Sequence, residues 1–167
     1  MNRQPAIFVS HGSPTLPLER NAATDFLRQL GPSLGRPESI LVVSAHWDTD
    51  RPAVSSAAEP ETIYDFYGFP PELYRLRYPA PGAPQLAKRA AGLLESGGLR
   101  TDIDPKRGLD HGAWTSLMLM YPAADIPVTQ ISIQSHLGPG HHVRLGEALR
   151  PLRDEGVLIF ASGGATH

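Results

Sequence analysis

Cysteine is absent from the 167 residues of this chain. Its absence excludes disulfides, thiolate metal sites and cysteine nucleophiles, so a bound metal would have to be held by histidine or carboxylate. Basic clusters are missing as well. The formal net charge is -2 and the pI is about 6.4, which leaves no positive field to attract phosphate backbones. Nucleic acid is therefore not expected as a partner.

Long apolar runs are also lacking. The amino-terminal sequence MNRQPAIFVSHGSP has neither the basic region nor the apolar stretch of a signal peptide. No run approaches the roughly 20 residues that a membrane-spanning helix needs, so we expect a cytoplasmic protein without membrane contacts. With 41% apolar and 19% charged residues the chain has the composition of a soluble globular protein, and its length predicts one domain over residues 1–167.

Apolar segments predict the strands of a sheet. Those at 6–10, 39–45 and 157–161 are the strongest, and weaker strands are predicted near 99–103 and over 126–133. The segment 39–45 is continuously apolar rather than alternating, which is typical of a parallel strand covered on both faces.

Segments whose apolar residues have helical spacing lie between these strands. One helix is predicted to begin after Asn21, with Phe26, Leu27 and Leu30 as its apolar stripe, and to end at Gly31-Pro32. Further helices are predicted over 83–94, 113–120 and 140–153, and a loop with one short helix over 60–84. Alternating strands and helices predict an α/β fold, a three-layer sandwich with a central, mostly parallel sheet.

Three histidines lie where predicted strands end. His11, His46 and His167 each lie at or just beyond the carboxyl end of an apolar segment, and ligands of open α/β sheets bind at that edge. Each histidine alone is more often structural or solvated than functional. Together they predict a site where neutral imidazoles hold one metal ion and leave positions open for substrate.

The other four histidines give weaker signals. His111 lies in an Asp-His-Gly turn ahead of a helix, and its spacing alone favours a residue that bonds nearby backbone. His136, His141 and His142 surround a Gly-Pro-Gly sequence and are predicted to be solvated.

Other polar and aromatic features have simple explanations. Ser13 is not in a Gly-x-Ser-x-Gly elbow, so a turn-and-cap role is favoured over nucleophilic catalysis. Asp48 and Asp65 are candidates to orient metal-binding histidines. The aromatic residues between Tyr64 and Tyr78 predict a packed lid, and the same rings could enclose a flat substrate.

Six short motifs then form an ordered series along nearly the whole chain. Together they resemble the DOPA-dioxygenase type of class III extradiol ring-cleavage dioxygenases, in the LigB-like superfamily. The motifs are IFVSHGSP (7–14), VSAHW (43–47), IYDFYGFP (63–70), YPAPG (78–82), LDHGAW (109–114) and MYP (120–122).

The resemblance implies a function and a set of site residues. A non-haem divalent metal, Fe(II) for activity with Zn(II) as another occupant, would be bound by His11 and His46. His167 would be a further ligand or an acid/base catalyst, and His111 would line the site and handle protons. The expected partners are a small catechol and O2, and the protein is expected to be a monomer or homodimer.

The chain departs from this family pattern at its end. Family members continue well beyond the position of His167, and their continuation supplies a further metal ligand and more of the substrate pocket. Two alternatives to the dioxygenase remain at this stage. One is a non-catalytic metal-binding homologue on the same scaffold, and the other is a tetrapyrrole metal chelatase, which also places a His-Gly-Ser turn after its first strand.

Overall fold

The structure is a computed structural model that describes residues 3–164. His167, one of the predicted site residues, lies outside the described residues. Six strands form one sheet. They are β1 (Ala6–Ser10), β2 (Ser39–Asp48), β3 (Ala53–Ser55), β4 (Asp102–Asp104), β5 (Val128–Ile133) and β6 (Val157–Gly163).

The sheet is mostly parallel, as predicted. Its strand order is β1-β6-β2-β5-β3-β4, and only the β3–β5 pair is antiparallel among the described strand pairs. Ser10 pairs with Gly163 and Ser44 with Ser162, so β1, β6 and β2 end together at one edge. The sequence pattern does not predict β3, because three residues give no extended apolar run.

Four helices cover the two faces of the sheet, which confirms the predicted three-layer sandwich. The helices α1 and α3 pack on one face and α2 and α4 on the other. Among residues 3–164, no helix is both long and apolar enough to cross a bilayer. The helices are α1 (Ala22–Leu34), α2 (Pro84–Ser96), α3 (His111–Met120) and α4 (Gly138–Leu149).

Strand β2 shows why the apolar segment 39–45 is continuous. Ile40 and Val42 point into the core under α1 and α3, whereas Leu41 points into the core under α2 and α4. All three are completely buried. Neither face of this central strand meets water, so the sequence does not alternate between polar and apolar residues.

Helix α1 begins as predicted but ends later. Asn21 caps it, because its side chain accepts a hydrogen bond from the Thr24 N–H while the Thr24 side chain accepts one from the Asn21 N–H. The predicted end at Gly31-Pro32 is wrong: the helix continues to Leu34 and is closed by Gly35, whose φ of 75° suits glycine. Phe26, predicted for the apolar stripe, is 58% exposed.

The other predicted elements differ from the structure mainly at their ends. Helix α2 ends at Ser96, two residues beyond the predicted end, and Gly97 caps it. The predicted helix over 140–153 is split, because α4 passes into a 3₁₀ turn over Arg150–Glu155 that ends at Gly156. In the loop over 60–84, the predicted short helix is a 3₁₀ turn over Leu73–Arg75.

Candidate metal centre

Three imidazole rings meet at the edge where β1, β6 and β2 end. They belong to His11, His46 and His111, and one nitrogen from each lies within 4.8 Å of the others. The Nε2 atoms of His11 and His46 face each other at 3.0 Å. The convergence predicted for His11 and His46 is therefore present, and His111 joins them.

The parallel strands bring His11 and His46 together. His11 directly follows β1, and His46 lies near the end of β2. Strand β6 runs between these two strands, and Ser162 near its end hydrogen-bonds Nδ1 of His11 at 2.8 Å. Since Nδ1 of His11 is engaged below the site, its Nε2 is the nitrogen that faces His46.

His111 reaches the same point from a helix rather than from a strand. It is the first residue of α3, and its backbone N–H donates to Oδ1 of Asp65 at 2.9 Å. Its ring Nδ1 lies 2.9 Å from Oδ2 of the same carboxylate, in a close contact that is not aligned as a hydrogen bond. Oδ2 of Asp65 is also 4.0 Å from Nδ1 of His46.

The loop that carries Asp65 is fixed against the residues just before α3. The Ile63 N–H donates to the Leu109 carbonyl at 2.8 Å, and Nε1 of the fully buried Trp114 donates to the Ile63 carbonyl at 2.9 Å. Phe66 packs edge-on against the His111 ring, with centroids 5.7 Å apart. These contacts hold the Asp65 carboxylate beside the imidazoles, together with an aromatic wall formed by Tyr64, Phe66 and Trp114.

The environment of Asp65 favours its ionised form. Partial burial raises the pKa of this carboxyl, but the contact with the His111 ring and the hydrogen bond from its backbone N–H outweigh that effect and hold the pKa below its usual range. His11 and His111 are buried, whereas the side chain of His46 is 30% exposed. The cluster is therefore anionic on one side and open to solvent at His46.

The donor set fits a divalent transition metal. Imidazole nitrogens bond such ions at about 2.1 Å, and two of them meeting near a right angle lie roughly 3 Å apart, close to the 3.0 Å between the Nε2 atoms of His11 and His46. Neutral imidazole suits iron, zinc, copper and nickel. Metal-binding histidines also usually bond a hydroxyl, carbonyl or carboxylate through their other nitrogen, as His11 bonds the Ser162 hydroxyl here.

Of the two carboxylates predicted to orient these histidines, only one reaches them. Asp65 does so, whereas Asp48 accepts hydrogen bonds from the backbone N–H and the hydroxyl of Ser135 on the surface. Ser13 accepts from the backbone N–H of Thr15, in agreement with a turn-and-cap role. His167 remains a prediction, because it lies outside the described residues.

The prediction for His141 is wrong. Its side chain is buried, and its Nε2 hydrogen-bonds Oε1 of Gln134 at 2.9 Å. Burial lowers the pKa of this imidazole, with further lowering from the nearby charges of His142, Arg144 and His136. His142 is half-buried and accepts a hydrogen bond from the Gln134 N–H, whereas His136 is exposed as predicted.

The structure is thus a mostly parallel α/β sheet with three imidazoles, which could hold a metal ion, at the carboxyl edge of its central strands. Residues 5–167 match the family described as the catalytic LigB subunit of aromatic ring-opening dioxygenase. The chain belongs to this family, as the motif series predicts.

Named relatives agree with the family match. A 4,5-DOPA dioxygenase extradiol of Beta vulgaris is 51% identical over 170 residues, and one of Escherichia coli K12 is 47% identical over 166 residues. Each alignment covers 99% of this chain, but 63% and 60% of those relatives. The chain thus spans about three-fifths of the length of these two proteins.

A solved structure shares the fold. The crystal structure of an uncharacterized protein from Escherichia coli K12 superposes with a TM-score of 0.80 at 40% sequence identity. The match covers 99% of this chain and 62% of that one.

Proposed function

We propose that this chain carries the metal centre of an extradiol dioxygenase that opens catechol rings of the DOPA type with O2. The observation that supports the proposal most directly is the 3.0 Å approach of the Nε2 atoms of His11 and His46, with His111 beside them, in a member of this family. The named activity of the relatives supports the substrate class.

His11 and His46 are the proposed ligands of the metal, with His167 as a predicted further ligand or acid/base group. When bound, Fe(II) would supply a Lewis acid and a redox centre for the reaction between catechol and dioxygen. Zinc has no redox chemistry, so a zinc-loaded preparation would show occupancy without turnover.

His111 is the proposed proton-handling residue. Asp65 lies against its Nδ1, which favours a proton on that atom and leaves Nε2 to accept one from a catechol hydroxyl. An imidazole can take up that proton and return it later in the same turnover. The low pKa of Asp65 keeps its carboxylate charged while His111 does so.

The aromatic wall is the proposed side of the substrate pocket. Phe66 packs edge-on against Tyr64 as well as against His111, and Tyr64 packs against Trp114. Tyr64 is further fixed by a hydrogen bond from its hydroxyl to the Leu76 carbonyl at 2.6 Å. A fixed apolar wall of this kind can align a flat ring beside the imidazoles and exclude water from one face of it.

The proposal is tested by loading the chain with Fe(II) without oxygen and then adding L-DOPA and air. We expect a yellow ring-opened semialdehyde and a matching uptake of O2, measured by absorbance and with an oxygen electrode. The same chain loaded with Zn(II) is the matched control and should consume none. Tight metal binding without O2 uptake for any catechol tried would support a non-catalytic metal-binding homologue instead.

Replacing His111 with alanine should separate metal binding from chemistry. We expect Fe(II) affinity to change by less than about tenfold, while turnover falls by about 100-fold or more, in the range that general acid/base groups contribute. Metal content after dialysis and the initial rate of O2 uptake measure the two effects. Loss of the metal together with turnover would show that His111 is a ligand rather than a proton carrier.

A further inference from the structure

A completely buried carboxylate lies directly behind the metal centre. Asp110 is 0% exposed and precedes the first residue of α3. Its Oδ1 accepts a hydrogen bond from the Ser44 hydroxyl at 2.6 Å. Its Oδ2 accepts from Nε2 of Gln130 at 2.6 Å and from a guanidinium nitrogen of Arg107 at 2.9 Å. The buried charge is thus paired with a cation and fully hydrogen-bonded, as a carboxylate in this position must be.

One branch of this network reaches His46. The Ser44 hydroxyl, which donates to Asp110, also accepts the backbone N–H of His46 at 3.2 Å. Ser44 is itself completely buried. Since Ser44 and His46 lie two residues apart on the same strand, the orientation of this hydroxyl fixes the end of β2 where the His46 ring projects.

The other branch reaches His111. The backbone carbonyl of Asp110 accepts the N–H groups of Ala113 and Trp114, which starts the first turn of α3. The backbone N–H of Asp110 donates to Oε1 of Gln130 on β5 at 3.3 Å. Asp110 therefore ties the start of α3, and with it His111, to two strands of the sheet.

Close packing between these two branches leaves the start of α3 little room to move. A Cβ atom on Gly112 would lie 2.6 Å from the Ser44 hydroxyl oxygen, 3.0 Å from Cδ2 of His46 and 3.2 Å from Oδ1 of Asp110. The start of α3 thus lies directly against the His46 ring. A shift of a few tenths of an ångström in either branch would change the approach of the two imidazoles.

We propose that Asp110 is a positioning residue of the metal centre. It fixes the backbone of His46 through Ser44 and that of His111 through the start of α3, so that both rings keep the geometry that one divalent ion requires. Its carboxylate hydrogen-bonds Ser44, Arg107 and Gln130 rather than an imidazole ring of the described residues, so it acts through the residues that carry the rings. This inference rests on the proposed function, because it assumes that the histidine cluster binds a metal.

The substitution Asp110→Asn tests the inference with little change of shape. An amide puts an NH2 group where the carboxylate has an oxygen that only accepts, so either the Ser44 hydroxyl or the pair of donors from Gln130 and Arg107 loses its acceptor. We expect Co(II) affinity to fall by about 10- to 100-fold, the range seen when residues that support metal ligands are lost. The visible absorption of bound Co(II) should also change, because the ligand geometry changes.

Asp102→Asn is the matched control. Asp102 pairs with Arg51 on the surface and its side chain is 57% exposed, so the same chemical change is made away from the site. Co(II) affinity and absorption should stay as in the unmodified chain. Urea unfolding of the metal-free variants measures the effect on folding separately from the effect on the site.

Two results would overturn the inference. If Asp110→Asn folds and binds Co(II) with unchanged affinity and absorption, Asp110 does not position the ligands, although the proposed function stands. If the unmodified chain does not bind Co(II), the proposed function fails and this inference fails with it. Should Asp110→Asn not fold, Ser44→Ala breaks the His46 branch alone, and it must show about tenfold weaker Co(II) binding with altered absorption for the inference to survive.

Discussion

Replacing His46 with alanine is expected to lower the affinity of the chain for divalent metal by more than about 100-fold and to abolish O2 uptake. The substitution removes the Nε2 atom that faces His11 at 3.0 Å, and loss of a direct ligand should exceed the 10- to 100-fold cost of losing a residue that only orients one. Because the His46 side chain is 30% exposed, folding should be little affected. Competition with a chelator of known affinity measures the metal dissociation constant.

His136→Ala is the matched control for this experiment. It removes the same side chain from an exposed position, so both metal affinity and O2 uptake should match those of the unmodified chain. His11→Ala should lose the metal as His46→Ala does, since the two rings contribute equivalent nitrogens. Retention of tight metal binding in His46→Ala would contradict the metal centre as proposed.

The two imidazoles at the strand ends are predictable from sequence because one rule places them. Parallel strands of one sheet end at the same edge, so histidines at the ends of two such buried strands come close together whatever the loop between them. No such rule applies to His111, whose spacing favours a simple structural role, and only the motif resemblance indicates a site residue there. Its position depends on the packing of α3 against β2, which spacing does not encode.

The partners behind the imidazoles are harder to predict for the same reason. Asp65 and Asp48 are equal candidates in the sequence, and the choice depends on how the loop over 60–84 lies against Leu109. Asp110 gives no signal of its own, since its role comes from Ser44 and Gln130 on two different strands. Contacts between residues remote in sequence decide both cases.

The burial of His141 is indicated by the helical periodicity of the sequence. His141, Leu145 and Leu149 are spaced by four residues, and all three lie on the buried side of α4. Helical periodicity therefore places His141 on the apolar face, and the common exposure of histidine is the weaker guide. The same periodicity sets Val143 apart from this face, in agreement with its 59% exposure.

The Gly31-Pro32 pair looks like the end of a helix, yet the structure uses it for packing. Pro32 has no N–H and leaves the carbonyl four residues earlier without its helical partner, which normally favours termination. Helix α1 nevertheless continues to Leu34, and Gly31 lies directly against Met120, the last residue of α3. A Cβ atom at this position would be 2.0 Å from the Met120 carbonyl oxygen and 2.7 Å from its carbonyl carbon. The missing side chain is therefore what allows α1 and α3 to pack.

Gly31→Ala is accordingly expected to destabilise the chain by about 2 kcal/mol. A Cβ atom 2.0 Å from a backbone oxygen places the overpacking cost at the upper end of roughly 1 to 3 kcal/mol, and the helix preference of alanine offsets only roughly 1 kcal/mol of it. Gly92→Ala is the matched control, since Gly92 is exposed in α2 and a Cβ atom there has no neighbour within 4 Å. That variant should gain roughly 0.5 to 1 kcal/mol. Urea unfolding of both metal-free variants measures the two free energies. An equal gain in the free energy of unfolding for both variants would show that α1 and α3 do not approach as closely as the Gly31 geometry requires.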